Sequence, residues 1–221
     1  MTMRMRTALF DFDGVIADTE PLYDRYWNEA AERYGLGIPN FADLIKGTTL
    51  PDLMAKYFGD RSETFRQTVI QECLAFEEQM DFPLVPGVID FIRLLRDNGV
   101  QTGLVTSSED RKMERAYRLL DIRDLFDTVV TADRITRGKP DPMCYRLAAQ
   151  DLNEKPANCL VFEDSLNGIR SATDAGSQVV GLSTSNPPEV LKPLTIAVIP
   201  DFEGLTIQDF DAWYDQGMIK A

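Results

Sequence analysis

No histidine occurs anywhere in the chain. That absence excludes Ser-His-Asp and Cys-His nucleophile systems, and every imidazole-ligated metal site that this chain could build alone. Acid–base chemistry near neutral pH therefore falls to carboxylates, Lys, Tyr or Cys. Cysteine is scarce as well. Cys73, Cys144 and Cys159 are widely spaced, odd in number and form no C-x-x-C pair, so they are expected as small core residues in a reducing compartment. No run reaches the ~18 apolar residues of a membrane span. The opening Met-Thr-Met-Arg-Met-Arg is basic but leads straight into a strand-like run without a cleavage pattern, and a cytoplasmic location is expected. Positive charge is also in short supply: 23 Lys and Arg face 36 Asp and Glu, a net charge of −13. Nucleic acid or an anionic membrane would favour the opposite balance, so neither is expected as a partner. An anionic ligand would need a local cation or a metal.

What remains is ordinary for a globular enzyme: 221 residues, 44% hydrophobic and 27% charged, enough for one sizeable core or a core with a smaller insert. Short β-rich runs are predicted at 7–12, 101–106, 128–131, 159–163, 178–182 and 196–199. Helical patterns separate most of them. Val88, Phe91, Leu94 and Leu95 keep a 3.6-residue period between Gly87 and Gly99. Ser107-x-x-Asp110 resembles a capping box ahead of a charged helix running to about Leu120. Pro142 opens another helix, Ser165 caps one that ends near Gly176, and a last short helix is predicted around 209–213. Strands alternating with helices imply an α/β fold, a doubly wound parallel sheet covered on both faces.

One region breaks the alternation. From about Thr19 to Phe82 no strand is predicted, only helices. The first has Thr19 as N-cap, Pro21 in its first turn, Gly35 at its end and a stripe of Leu22, Tyr26 and Ala30; 52–58 and 63–79 give two more. Pro83 and Pro86-Gly87 punctuate the return to the α/β pattern. The expected organisation is a core of 1–18 with 84–221, and an inserted all-helical domain over 19–83.

Four predicted strand ends carry reactive groups in order. Leu9-Phe10-Asp11-Phe12-Asp13-Gly14 places two carboxylates at i and i+2, on one side of an extended chain, before a glycine that permits a sharp turn. The second end reads Thr106-Ser107-Ser108, a loop after the third holds Gly138-Lys139-Pro140-Asp141-Pro142, and the fourth reads Glu163-Asp164-Ser165-Leu166-Asn167-Gly168. In an open parallel sheet, ligands bind beyond such carboxyl ends. Lys139 precedes a proline and so is expected in an extended loop rather than a helix.

This ordered set resembles the haloacid dehalogenase superfamily, in its phosphatase and β-phosphoglucomutase branch with a helical cap after the first motif. The resemblance covers essentially the whole chain and implies a Rossmann-like core. It makes Asp11 the nucleophile that forms an aspartyl-phosphate, and Asp13 the general acid for the leaving alcohol and then the base for water. Thr106 and the Ser107 amide would hold phosphate oxygens, with Lys139 balancing charge. Asp11, the Asp13 backbone carbonyl and Asp164 would bind Mg²⁺, with Glu163 joining directly or through water. Physical logic agrees, since a carboxylate attacking a phosphate dianion needs cations between them, and an all-oxygen site suits Mg²⁺. Branches that cleave carbon–halogen bonds lack a carboxylate where Asp13 stands, so phosphate-ester chemistry is favoured.

The cap residues Thr19, Glu20, Tyr23, Lys46 and Gly47, with Ser107 and Ser108 of the core, are the implied substrate contacts. Tyr26 and Tyr34 have the spacing of packing residues, whereas Tyr23 and Trp27 stand between packing and substrate contact. β-Phosphoglucomutase carries a His where Tyr23 stands and a phosphate-gripping Arg aligned with Leu50, and no arginine occurs from Tyr34 through Asp60. A mutase must hold a second phosphate, so a phosphatase is favoured. The expected protein is a monomeric, Mg²⁺-dependent phosphatase of a small phosphorylated metabolite, a sugar or polyol phosphate. The helical insert is expected to open for substrate and close over the site. A phosphosugar mutase and a non-enzymatic binding protein are the alternatives.

Overall fold

The structure, a computed structural model, describes residues 6–218. The basic N-terminal segment up to Met5 and the last three positions of the expected core domain lie outside the described residues. Six parallel strands form one sheet: β1 (Arg6–Phe10), β2 (Val100–Val105), β3 (Thr128–Val130), β4 (Cys159–Glu163), β5 (Gln178–Leu182) and β6 (Ala197–Ile199). Their spatial order is β3-β2-β1-β4-β5-β6. The chain thus winds outward from β1 through β2 and β3, then returns to β1's other side and winds away. This makes a doubly wound sheet with its switch point beside β1, where ligands bind in such folds.

Period-two alternation explains the two buried faces. Along β1, Ala8 and Phe10 join one apolar cluster while Leu9 joins another, and on β4 Leu160 and Phe162 alternate with Val161 in the same way. Phe10 and Phe162 face each other in register and stack at 4.7 Å. Each fully buried phenylalanine contributes roughly 1.5–3 kcal/mol through removal from water, which ties β1 to β4 directly beneath the carboxyl ends that carry the reactive groups. The three cysteines are buried and free, as expected of small core residues.

The helices are α1 (Glu20–Arg33), α2 (Phe41–Ile45), α3 (Leu50–Phe58), α4 (Glu63–Gln79), α5 (Val88–Asp97), α6 (Asp110–Leu120), α7 (Met143–Asp151), α8 (Leu166–Ala175), α9 (Pro188–Leu191) and α10 (Ile207–Met218). The first four follow β1 without an intervening strand and build an apolar cluster of their own around Trp27, Phe41, Leu53, Phe58 and Val69. The chain enters and leaves this insert side by side: the Asp18 amide donates to the Pro83 carbonyl at 2.7 Å. Short α2 was not expected, because five residues are too few to show a period.

Two helix starts differ from the sequence reading. Thr19 precedes α1, but its side chain caps nothing; the hydroxyl is used elsewhere. Ser107 does not start a capping box, since α6 begins after Glu109 and the Ser107 hydroxyl donates to the Gly47 carbonyl at 2.8 Å. Ser165 behaves as expected, its hydroxyl accepting from the Gly168 amide at 3.0 Å. The buried face of α1 also differs, being Trp27, Ala30 and Ala31 rather than Leu22, Tyr26 and Ala30.

Candidate active site

Strand β1 ends at Phe10, two residues short of its expected limit, because the chain turns back on itself there. The Ile16 and Ala17 amides both donate to the Phe12 carbonyl, and Gly14 takes φ +73 to close the turn. The Asp11 amide still donates to the Phe162 carbonyl at 3.1 Å, so Asp11 remains in ladder register with β4. Its carboxylate accepts from the Phe12 amide at 2.7 Å and from Lys139 Nζ at 2.9 Å. Lys139 is 2% exposed, and Nζ also donates to Glu163 Oε1 at 2.6 Å and to the Val105 carbonyl at 3.3 Å. Burial alone would lower the ammonium's pKa, but Asp11 and Glu163 raise it, so Lys139 stays charged.

Glu163 is the anchor of that lysine. Five donors converge on it: Lys139 Nζ, the Tyr145 hydroxyl at 2.9 Å, the Asp164 and Ser165 amides at 3.0 Å, and the Ser165 hydroxyl at 3.1 Å. Burial would raise its carboxyl, yet Lys139 and these donors hold it below the ordinary value. A Cβ at Gly168 would stand 1.6 Å from Glu163 Oε1, so only glycine on that turn of α8 leaves room for the carboxylate.

Asp13 lies within the turn after β1, in a separate set of donors. Lys112 Nζ is 2.6 Å from both of its oxygens, the Thr19 hydroxyl donates to Oδ1 at 2.5 Å and the Ser108 hydroxyl to Oδ2 at 2.8 Å. Burial pushes the Asp13 carboxyl up, but Lys112, Thr19 and Ser108 outweigh it and hold the group below its ordinary value. Lys112 sits 4.7 Å above the Tyr23 ring, and the Tyr23 hydroxyl donates to Glu77 at 2.7 Å.

Asp11, Glu163 and Asp164 each offer a carboxylate oxygen within 4.8 Å of the others. Burial raises the Asp11 carboxyl well above its usual range against the pull of Lys139, with Glu163 and Asp164 adding to the rise. Burial, Glu163 and Glu20 raise Asp164 in the same direction. Crowded oxygens short of counter-charge fit a hard divalent cation. Gly14 makes the cradle possible, since a Cβ there would stand 2.1 Å from Asp164 Oδ2. Ser185 and the Asn186 amide group brace Asp164 from the other side, at its side chain and backbone carbonyl respectively.

A cavity runs from these carboxylates up into the helical insert. Asp11, Asp13, Asp164, Ser107 and Ser108 line its lower end, and Glu20, Tyr23, Trp27, Lys46, Gly47 and Leu50 line its upper end. The Lys46–Gly47 turn is seated on the core: the Asn167 side chain donates to the Lys46 carbonyl at 2.8 Å, and a Cβ at Gly47 would meet Ser165 Oγ at 2.5 Å. Lys46 Nζ lies 3.1 Å from Asp24, 3.3 Å from Asp43 and 3.8 Å from Glu20. Burial, reinforced by Asp13, pushes Glu20 up to about 8 despite Lys46.

Most of the residues expected from sequence converge here, but four do not reach the cavity wall. Thr19 is fully buried with its hydroxyl on Asp13, so it meets a carboxylate rather than a ligand. Thr106, Lys139 and Glu163 sit one layer behind the wall. Tyr23 and Trp27 both line the cavity, whereas Tyr26 stacks on Phe76 at 4.3 Å and Tyr34 packs on Phe58 and Phe65. Sequence reasoning missed Lys112, Tyr145 and Glu77. Lys112 left one faint signal, a lysine beside Met113 and Ala116 on the buried face of α6.

A doubly wound sheet thus gathers Asp11, Asp13, Glu163, Asp164 and the buried Lys139 at its carboxyl edge, under a helical insert. The chain belongs to the haloacid dehalogenase-like hydrolase family, which matches residues 5–176. It is 34% identical over 215 residues to a phosphorylated carbohydrates phosphatase of Thermotoga maritima, covering 92% of this chain and 98% of that one. It is 30% identical over 176 residues to hexitol phosphatase B of Escherichia coli, covering 73% and 76% of the two chains. A family IA haloacid dehalogenase hydrolase from Entamoeba histolytica superposes with a TM-score of 0.81 at 25% identity over 96% of this chain and all of that one. A Clostridium difficile β-phosphoglucomutase shares the fold with a TM-score of 0.83 at 24% identity, over 98% of this chain and all of the other.

Proposed function

We propose that the protein is a Mg²⁺-dependent phosphatase that hydrolyses a small sugar or polyol phosphate through an aspartyl-phosphate on Asp11. One observation carries this reading: Asp11 faces the cavity with an ammonium 2.9 Å behind it, while a second carboxylate, Asp13, lines the same cavity in its own donor set. In the first step an Asp11 oxygen attacks phosphorus and the bond to the substrate alcohol breaks. Asp13, ionised in the free protein, takes up a proton as the negative charge of the bound phosphate enters beside it and delivers that proton to the departing alkoxide. Asp13 then takes a proton from water as that water attacks the aspartyl-phosphate, and the bond to Asp11 breaks. Lys139 offsets the negative charge that accumulates where two anions meet. Asp11, the Asp13 carbonyl and Asp164 would hold Mg²⁺, which supplies Lewis-acid charge neutralisation when bound. Glu163 serves the site by fixing Lys139, because its own oxygens are already occupied.

Two of the relatives named above are a phosphorylated carbohydrates phosphatase and a hexitol phosphatase, which supports the substrate class. We read residues 19–83 as the cap that closes over the bound substrate and keeps bulk water out. Phosphatase is favoured over mutase because the upper cavity holds Leu50 and an already-paired Lys46 in place of a strong second phosphate clamp. The test is a panel of sugar and polyol phosphates, including β-glucose 1-phosphate primed with its bisphosphate, assayed with Mg²⁺ and with chelator. Mg²⁺-dependent release of inorganic phosphate is expected. Formation of glucose 6-phosphate without phosphate release would make the protein a mutase.

A further inference from the structure

The upper cavity has an unusual charge pattern. Among the described residues lining it, Lys46 is the one cation, and three carboxylates already surround that ammonium. Glu20 is the inverse case. It is 8% exposed, it lines the cavity beside Asp13, and among the described residues its carboxyl group has no hydrogen-bond partner, Lys46 standing off at 3.8 Å. A carboxyl at a cavity wall that no protein donor hydrogen-bonds is left to take its hydrogen bonds from what enters the cavity. Glu77 and Glu109 add further acidic character to the same wall, and Trp27, Ile45, Leu50 and Leu53 close it with apolar surface.

We infer that Glu20 is a specificity-determining residue that hydrogen-bonds hydroxyl groups of the alcohol beside the scissile phosphate. With Lys46 held by acids, it restricts the enzyme to monophosphates of neutral polyols. This rests on the phosphatase reading above and names its substrate class. A hydroxyl can both donate to and accept from Glu20, and it suffers no repulsion from Asp24, Glu77 or Glu109. A second phosphate would enter a wall of carboxylates whose sole ammonium is engaged, so a bisphosphate is disfavoured by charge. The Lys46–Gly47 turn cannot withdraw alone to relieve this, because Asn167 and Ser107 bind its two carbonyls.

The experiment compares kcat and KM for three substrates: a hexitol monophosphate, p-nitrophenyl phosphate, which has no hydroxyl groups, and a hexose bisphosphate. For Glu20→Ala, kcat/KM on the hexitol monophosphate is expected to fall about tenfold or more relative to the change on p-nitrophenyl phosphate. Glu20→Gln, which keeps shape and hydrogen bonding, is expected to restore most of that ratio. Asp24→Asn, which loosens the hold on Lys46, is expected to raise the bisphosphate-to-monophosphate ratio several-fold, and it tests the charge argument even if Glu20→Ala fails to fold. Equal losses on hexitol monophosphate and p-nitrophenyl phosphate would overturn the role of Glu20, and so would a wild-type preference for the bisphosphate. A wild-type protein that releases phosphate from none of the three would instead overturn the phosphatase reading itself.

Discussion

Lys112 Nζ stands 2.6 Å from each carboxylate oxygen of Asp13, although 99 residues separate the two in sequence. The Lys112 side chain is 1% exposed, and its ammonium also donates to Ser108 Oγ at 2.9 Å. The pair joins the turn after β1 to helix α6, and the Tyr23 ring of α1 covers it. Asp13 therefore has a fixed place before any ligand arrives.

Breaking this pair leaves one buried charge without a partner, which typically costs about 3–5 kcal/mol. Lys112→Met is expected to lower the melting temperature by several degrees and kcat by more than about tenfold. The pH sign is determined by Asp13, whose folded pKa is depressed below its ordinary 3.8. Its stabilising contribution is present above that value and lost as pH falls through the folded pKa. The stability gap between wild type and Lys112→Met should thus narrow on acidification, as thermal melts across pH would record.

Asp11→Asn removes the proposed nucleophile while preserving shape and the hydrogen bond from Phe12. Phosphate release is expected to fall below about one thousandth of wild type, with an unchanged circular dichroism spectrum. Residual turnover above that level would mean that another group attacks phosphorus.

Gly168→Ala sets two effects against each other. Helix propensity favours alanine by about 1 kcal/mol. The added Cβ would lie 1.6 Å from Glu163 Oε1, inside α8 and against a fully buried carboxylate. Sterics should win by about 1–3 kcal/mol. The displaced Glu163 would also release Lys139, so activity should fall along with stability; urea unfolding and phosphate-release assays measure the two.

Glu20 predicts the opposite pH trend from Asp13. Burial holds its proton up to about 8, whereas the unfolded chain releases it near 4.5. Stability from this group is full below the lower value and declines as pH rises toward the higher one. Glu20→Gln cannot ionise, so its melting temperature should gain on wild type between about pH 5 and pH 8. Parallel melts that keep the same spacing would contradict the burial argument.

The carboxylate cluster predicts a ligand-linked effect separable from catalysis. Millimolar Mg²⁺ should raise the melting temperature of wild type, and chelator should reverse it. Asp164→Asn should abolish the shift. Glu163→Gln should retain it while losing activity, because Glu163 faces five protein donors rather than a vacant coordination position.

The alternation of strands and helices, the helical interruption after β1, the strand ends where Asp11, Ser107 and Asp164 stand and the loop that holds Lys139 are all legible in the linear sequence. These are local properties: apolar period, turn residues and the proline after Lys139 act over a few residues, so they are legible in a linear string. The packing of whole elements makes Thr19 orient Asp13 instead of capping α1, and brings Ser107 to the Gly47 carbonyl of the helical insert instead of starting α6. The same holds for Lys112 on Asp13, Tyr145 on Glu163, and the acids that surround Lys46. Each of these joins side chains whose meeting depends on how whole elements pack. A lysine or threonine has the same local propensity whether it ends in solvent or against a buried carboxylate, so propensity cannot tell the two apart.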